Sequence, residues 1–164
     1  MDDEFVFNER GERVMESVYS EIDVDTLRDK LIGRSVTAVQ LGGDMPSVDR
    51  GWRHPQGKVT LDDGTVLLLG GNDGGCSCGA GDYELVRLND MPINGITNVE
   101  VDVEDTNEYD GHTYRIFVLA QDQRFELAAF DGDDGNGYYG TGFWFTVTRS
   151  DWSAITCPQL QGGA

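Results

Sequence analysis

Oxygen donors and thiols collect in two glycine-rich stretches of this 164-residue chain. The first, Gly71 to Gly81, carries Asp73, Cys76 and Cys78, with Asp82 directly after it. The second, Gly132 to Gly142, carries Asp133, Asp134, Asn136, Tyr138 and Tyr139. An offset of 61 superposes Gly71 on Gly132, Asp73 on Asp134, Gly74 on Gly135, Gly79 on Gly140 and Gly81 on Gly142. Asp131, Asp133, Asp134 and Asn136 are hard oxygen ligands of the kind Ca²⁺ or Mg²⁺ takes. The EF-hand pattern fails, because the fifth position from Asp131 is Gly135 and the twelfth is Gly142, not glutamate. Asp-Gly and Asn-Gly steps are first of all turn formers, since glycine supplies positive φ.

Other chemistries find less. Cys76-Ser77-Cys78 is a Cys-x-Cys pair without the second pair of a structural zinc site; Cys157, His54 and His112 are distant in sequence. Phosphate cradling needs a strand–loop–helix context, whereas Gly79-Ala80-Gly81 leads into a strand-like segment holding the nearest cation, Arg87. Neither a Gly-x-Ser-x-Gly elbow nor His-Glu-x-x-His occurs. Asp73 with Asp134 has the make-up of a general acid–base pair if the loops meet. Carboxylates capping turns are the plainer account. No enzyme and no cofactor are therefore expected, a divalent cation being the sole candidate.

Aromatic residues supply a binding alternative. Tyr138 and Tyr139 sit in the second loop, and Trp144 alternates with Phe143 and Phe145. Alternation turns Trp144 away from the two phenylalanines and places it at the surface if those are core, though core filling is the plainer account of these aromatics. The candidate binding set is thus Asp73, Cys76, Cys78, Asp82, Asp133, Asp134, Asn136, Tyr138, Tyr139 and Trp144.

The elements that position these residues read mainly as strands. Phe5-Val6-Phe7 lies in an acidic tail. Val14, Met15, Val18, Tyr19 and Ile22 share one helical stripe, predicting a helix over 9–22. A second helix, capped by Asp23 or Asp25, runs to Leu31 with Gly33 as its stop. Strand patterns follow at 35–41, 58–61, 65–69 and 83–88, with a tight hairpin at Asp62-Asp63-Gly64. They recur at 96–101, 114–119, 124–130 and 143–147, with a longer turn around Gln121-Asp122-Gln123 and an acidic connection from Glu104 to Asp110. The expected fold is α+β and mainly β. Two tandem repeats of about four strands, 35–88 and 96–147, form one pseudo-twofold antiparallel domain over 34–148. One or two short helices occupy a 1–33 extension, and 149–164 form a tail.

Bulk properties narrow the partners. Asp and Glu number 30 against 12 Lys and Arg, a net charge of −18. Such a surface repels nucleic-acid phosphates and anionic membranes. No apolar run reaches the ~18 residues of a membrane span, and the N-terminus lacks a basic signal region. Three cysteines make no disulfide framework and fit a reducing cytoplasm.

The Gly71–Tyr83 stretch, Ile96-Thr97-Asn98-Val99-Glu100, Tyr114 to Val118 and Asp134 to Phe143 together resemble an uncharacterised domain family. Its members are small acidic proteins of actinobacteriophages and their hosts. The resemblance covers about residues 27–148 and implies phage origin, expression in the cytoplasm of an infected bacterium, and no assigned activity. With six acids between Glu100 and Asp110 and ten in the first 33 residues, the expected function is a non-enzymatic interaction protein. It engages a basic host protein, most sharply by nucleic-acid mimicry. The alternatives are a small-ligand or cation-binding module built from the paired glycine loops, and a virion structural part.

Overall fold

A computed structural model describes residues 5–7, 13–15, 18–20, 23–45, 47–48, 53–72, 80–105, 111–135 and 142–149. Three short strands, β1 (Phe5–Phe7), β2 (Arg13–Met15) and β3 (Val18–Ser20), precede one helix, α1 (Val24–Leu31). Eight longer strands follow: β4 (Val36–Leu41), β5 (Gly57–Leu61), β6 (Thr65–Gly71), β7 (Ala80–Leu88), β8 (Ile96–Asp105), β9 (Gly111–Ala120), β10 (Gln123–Gly135) and β11 (Phe143–Arg149). They form a five-stranded sheet, β3-β11-β6-β5-β4, and a four-stranded sheet, β7-β10-β9-β8, all antiparallel; β1 and β2 pair separately. The meander β4-β5-β6 is completed by β11, and the meander β8-β9-β10 by β7.

One core joins the sheets. Val59, Leu67, Leu69, Phe143 and Phe145 meet Leu85, Val99, Tyr114, Ile116, Val118 and Phe130, and α1 adds Leu27 and Leu31. The Phe130 and Phe143 rings stack with centroids 4.7 Å apart. Gln56 ties the sheets at their junction. Its side-chain carbonyl accepts from the backbone N–H of Gly71 at 2.9 Å and of Leu85 at 2.8 Å. Two buried donors from different sheets are thereby satisfied by one oxygen.

Two expectations are corrected here. The helix over 9–22 does not form; β2 and β3 occupy its described residues. Val18 and Tyr19 suit a strand, and β11 offers an open edge to pair with, where Tyr19 stacks on Phe145 at 5.1 Å. Burial against an aromatic overrides the weak helical stripe. The turn after β9 is also tighter than expected, with only Gln121 and Asp122 between the paired residues Ala120 and Gln123. Both have positive φ, 53° and 62°, as a type I′ hairpin requires. Helix α1 stops as its sequence indicates, with Gly33 at φ 85°. Leu27 and Leu31 of α1 join the shared core, and β3 pairs with β11.

Candidate functional site

A chain of polar side chains crosses one end of the four-stranded sheet, taking one residue from each strand. The Tyr83 hydroxyl in β7 donates to Asp134 Oδ1 in β10. Asp134 Oδ2 lies 3.1 Å from His112 Nε2 in β9. His112 Nδ1 lies 2.8 Å from Asp105 Oδ1 in β8, a close polar contact out of line for a hydrogen bond. Register explains the alignment, since His112 pairs with both Gly132 and Asp105, and Gly132 also pairs with Tyr83. Because Gly132 has no side chain, the Tyr83 ring packs directly over it. Burial, then the Asp134 carboxylate, pushes the Tyr83 phenol above its ordinary value of about 10.

The bases of the two glycine loops sit at this same end. The Asn72 N–H donates to the Gly142 carbonyl at 2.9 Å, and the Tyr83 N–H to the Asn72 carbonyl at 2.8 Å. Ala80 pairs with Gly135. The segments where the loops leave the sheets are thus hydrogen-bonded neighbours.

The outer face of the four-stranded sheet carries a different arrangement. Register places Glu100 level with Phe117 and Glu126, Asp102 with Arg115 and Arg87, and Glu104 with Thr113, Asp131 and Glu84. Arg124 contacts Glu100 at 2.9 Å and Asp102 at 2.6 Å, and its guanidinium lies 3.7 Å from the Phe117 ring centre. Arg115 contacts Glu104 at 2.8 Å and Glu126 at 3.5 Å, while Arg87 contacts Glu126 at 2.9 Å. Hydrogen bonding to Arg87 is the largest influence holding the Glu126 carboxyl below its ordinary range. Toward the glycine loops the arginines run out. Asp82 and Asp133 pair directly across β7 and β10, both exposed. Asp131 is held by the Thr113 hydroxyl at 2.7 Å, and Asp133 accepts from the Gly135 N–H at 2.9 Å.

Of the residues singled out in the sequence, Asp82, Asp133 and Asp134 come together here, Asp134 within the polar chain and the other two on the outer face. Asp73, Cys76, Cys78, Asn136, Tyr138 and Tyr139 lie outside the described residues. For Trp144 the surface alternative is corrected in favour of core filling. It does turn away from Phe143 and Phe145, but it is 4% exposed. A second cluster of Val48, Val66 and Leu68 covers it, with Arg53 over its ring at 5.8 Å. Connecting segments carry no periodic signal, so this cover is not readable from the strand alternation. Sequence reasoning weighed His112 only as a distant zinc ligand and missed the roles of Tyr83 and Asp105. The available signal was the strand pattern through Tyr114, which extends back over His112. Among the described residues, no group of three or more His, Cys, Asp or Glu is arranged to hold a metal ion, and no helix is long and apolar enough to cross a membrane.

Two antiparallel sheets sharing one core, with a helix packed at the side, define the class as a mainly β domain of two-sheet architecture. The chain belongs to the family described as domain of unknown function DUF7448, whose model matches residues 20–145. No curated protein and no solved structure matches the chain.

Proposed function

We propose that this protein is a non-enzymatic, phage-encoded acidic interaction protein, acting in the cytoplasm of an infected bacterium. The outer face of its four-stranded sheet docks a basic host protein. One observation carries this: eight carboxylates, at residues 82, 84, 100, 102, 104, 126, 131 and 133, share a face with only three arginines. Same-face residues recur about every 6.8 Å along a strand and about 4.8 Å between strands. That gives a regular grid of negative charge on a hydrogen-bonded sheet, the arrangement nucleic-acid mimicry needs, with carboxylates standing for phosphates. Surface ion pairs such as Arg124 with Glu100 stabilise little and can be exchanged for a partner's cations. The test is capture of a basic DNA- or RNA-binding protein from host lysate, displaced both by duplex DNA and by salt. Glu84→Lys with Asp131→Lys should abolish capture without unfolding the domain. Capture that ignores salt and DNA, or survives the double charge reversal, refutes it.

Convergence of the loop bases at Asn72 and Gly142 favours a second reading, a cation or small-ligand module formed by the two glycine loops. It expects a Ca²⁺-dependent rise in melting temperature that Asp134→Ala removes. The absence of any shift across a metal and metabolite panel excludes it.

We further infer that the domain arose by tandem duplication with exchange of the fourth strands. Supporting features recur at offsets of 59 to 61. Gly71 pairs with Phe143 and Gly132 with Tyr83; Leu69 pairs with Phe145 and Phe130 with Leu85. Bulges fall between Val36 and Ala38 and between Ile96 and Asn98. Thr37 Oγ1 donates to the Thr60 carbonyl at 3.2 Å, and Thr97 Oγ1 to the Leu119 carbonyl at 3.1 Å. Residues 34–90 produced alone should then fold only as a dimer that exchanges β7. A folded monomer of this piece overturns the exchange.

A further inference from the structure

We infer that the outer edge of β8, from Val101 to Asp105, which pairs with no other described strand, takes up an extended segment of the basic partner as an additional strand, an inference that rests on the docking function proposed above. β8 is the outermost strand of its sheet. Its first half is covered: the Gly33 N–H donates to the Ile96 carbonyl at 2.8 Å, the Ile96 N–H to the Arg34 carbonyl at 2.9 Å, and Arg28 Nε to the Val99 carbonyl at 3.0 Å. The last contact fixes which backbone groups point outward. In an antiparallel strand alternate residues turn their N–H and C=O away from the neighbour, so Val101, Val103 and Asp105 follow Val99 in facing the open edge. Among the described residues, no backbone–backbone hydrogen bond from another element reaches the edge beyond Val99.

The side chains select the occupant. Glu100, Asp102 and Glu104 project to the outer face, while Val101 and Val103 project to the opposite one. Val103 is 52% exposed, beyond the cover of α1. An added strand therefore meets carboxylates on one of its faces and valines on the other. The complement is a segment with Lys or Arg at alternate positions and apolar residues between them. A second copy of the chain is disfavoured, because edge-to-edge pairing sets these acids against like charges.

The test titrates the whole protein with a capped peptide of alternating lysine and valine. Two controls accompany it: the same peptide N-methylated at alternate residues, and Val103→Pro protein. Proline at an edge position with an outward N–H leaves the ladder to β9 intact and removes the donor. Binding should weaken at least tenfold in either control, with new amide protection at Val101 and Val103 in the unmodified pair. If Val103→Pro does not fold, the methylated peptide decides alone. Equal affinity for the methylated peptide overturns the edge inference. Should Glu84→Lys with Asp131→Lys still abolish capture of the host protein in that case, the docking function stands and only the edge fails. If the unmodified peptide does not bind while host capture persists, the edge again fails alone; loss of both removes the two together.

Discussion

Gly71 and Gly132 press on Tyr83 from two different sheets, which makes their replacement the most direct test of how the sheets meet. A Cβ at Gly71 falls 2.1 Å from the Tyr83 carbonyl oxygen and 2.3 Å from its carbon. At Gly132 it falls 2.1 Å from the Asp82 oxygen and 2.6 Å from the Tyr83 Cα. Neither glycine has positive φ, so the constraint is space alone. Every obstructing atom closer than 2.7 Å is backbone, and no rotamer change relieves it. β7 must move by close to 1 Å to restore a normal contact. Overpacking of this kind costs about 1–3 kcal/mol, and backbone on the receiving side sets the value near 3. For a chain of this size, that lowers the melting temperature by about 6–12 °C. Both substitutions displace the same strand, so the double variant should fall short of the sum of the singles. Gly33→Ala is the contrast: its Cβ meets nothing within 4 Å, and only φ 85° opposes it, for about 1 kcal/mol. Urea unfolding of the four variants measures all of this. If Gly71→Ala or Gly132→Ala lies within about 0.5 kcal/mol of the parent, the range of an ordinary surface change, the close approach at Tyr83 is wrong.

Four other outcomes follow from the geometry. Gln56→Ala leaves the Gly71 and Leu85 N–H groups unpaired and should destabilise by about 2–4 kcal/mol in urea unfolding. Tyr83→Phe removes the donor to Asp134, for about 1.5–3 kcal/mol; because the folded phenol titrates above the unfolded one, the parent's stability should fall as pH rises above about 10, and the variant's fall should be shallower. Glu126 has a depressed folded pKa, so its contribution is present above about pH 4.5 and lost as pH falls through the lower folded value; the stability gap between the parent and Glu126→Gln should close in that acid range. Asp82→Asn relieves a like-charge pair with Asp133, and should stabilise by roughly 0.2–1 kcal/mol while weakening capture of the basic partner.

How much of this was legible depended on whether the information was local. The Asp62-Asp63-Gly64 hairpin and the Gly33 stop announce themselves, because positive φ at glycine is written into the residue type. Gln121 and Asp122 adopt the same conformations without glycine, so a tight turn there looks like a longer one. Strand alternation correctly opposed Trp144 to its phenylalanine neighbours. What covers Trp144 comes from the segment holding Val48 and Arg53, beyond the reach of any periodicity. The same limit hid the strand partners. Pattern identifies β7 and β11 as strands, but nothing in either says that β7 joins β10 or that β11 joins β6. The polar chain was hidden for that reason too, since Tyr83, Asp105, His112 and Asp134 meet only once four strands are aligned. Among the candidate residues, Asp82 drew notice as a loop flank and Asp133 as a loop residue, and the two are cross-strand partners.

The uneven distribution of arginine over the acidic face is the strongest reason to connect stability with function here. In the half farther from the glycine loops, Arg87, Arg115 and Arg124 each contact one or two carboxylates, and repulsion is locally relieved. Beside the loops, Asp82 faces Asp133 across two strands with no arginine between them. A fold under pressure for stability alone has simple remedies, since an asparagine or a lysine at either exposed position removes the repulsion without touching the core. Stability and activity commonly trade off in this way, with unfavourable charge retained where a partner neutralises it. The loop bases and the carboxylates thus meet at the end of the sheet where Tyr83, Asp134 and His112 also hold the strands together. A partner docking there would gain from a surface that is negative, locally unrelieved and rigidly held.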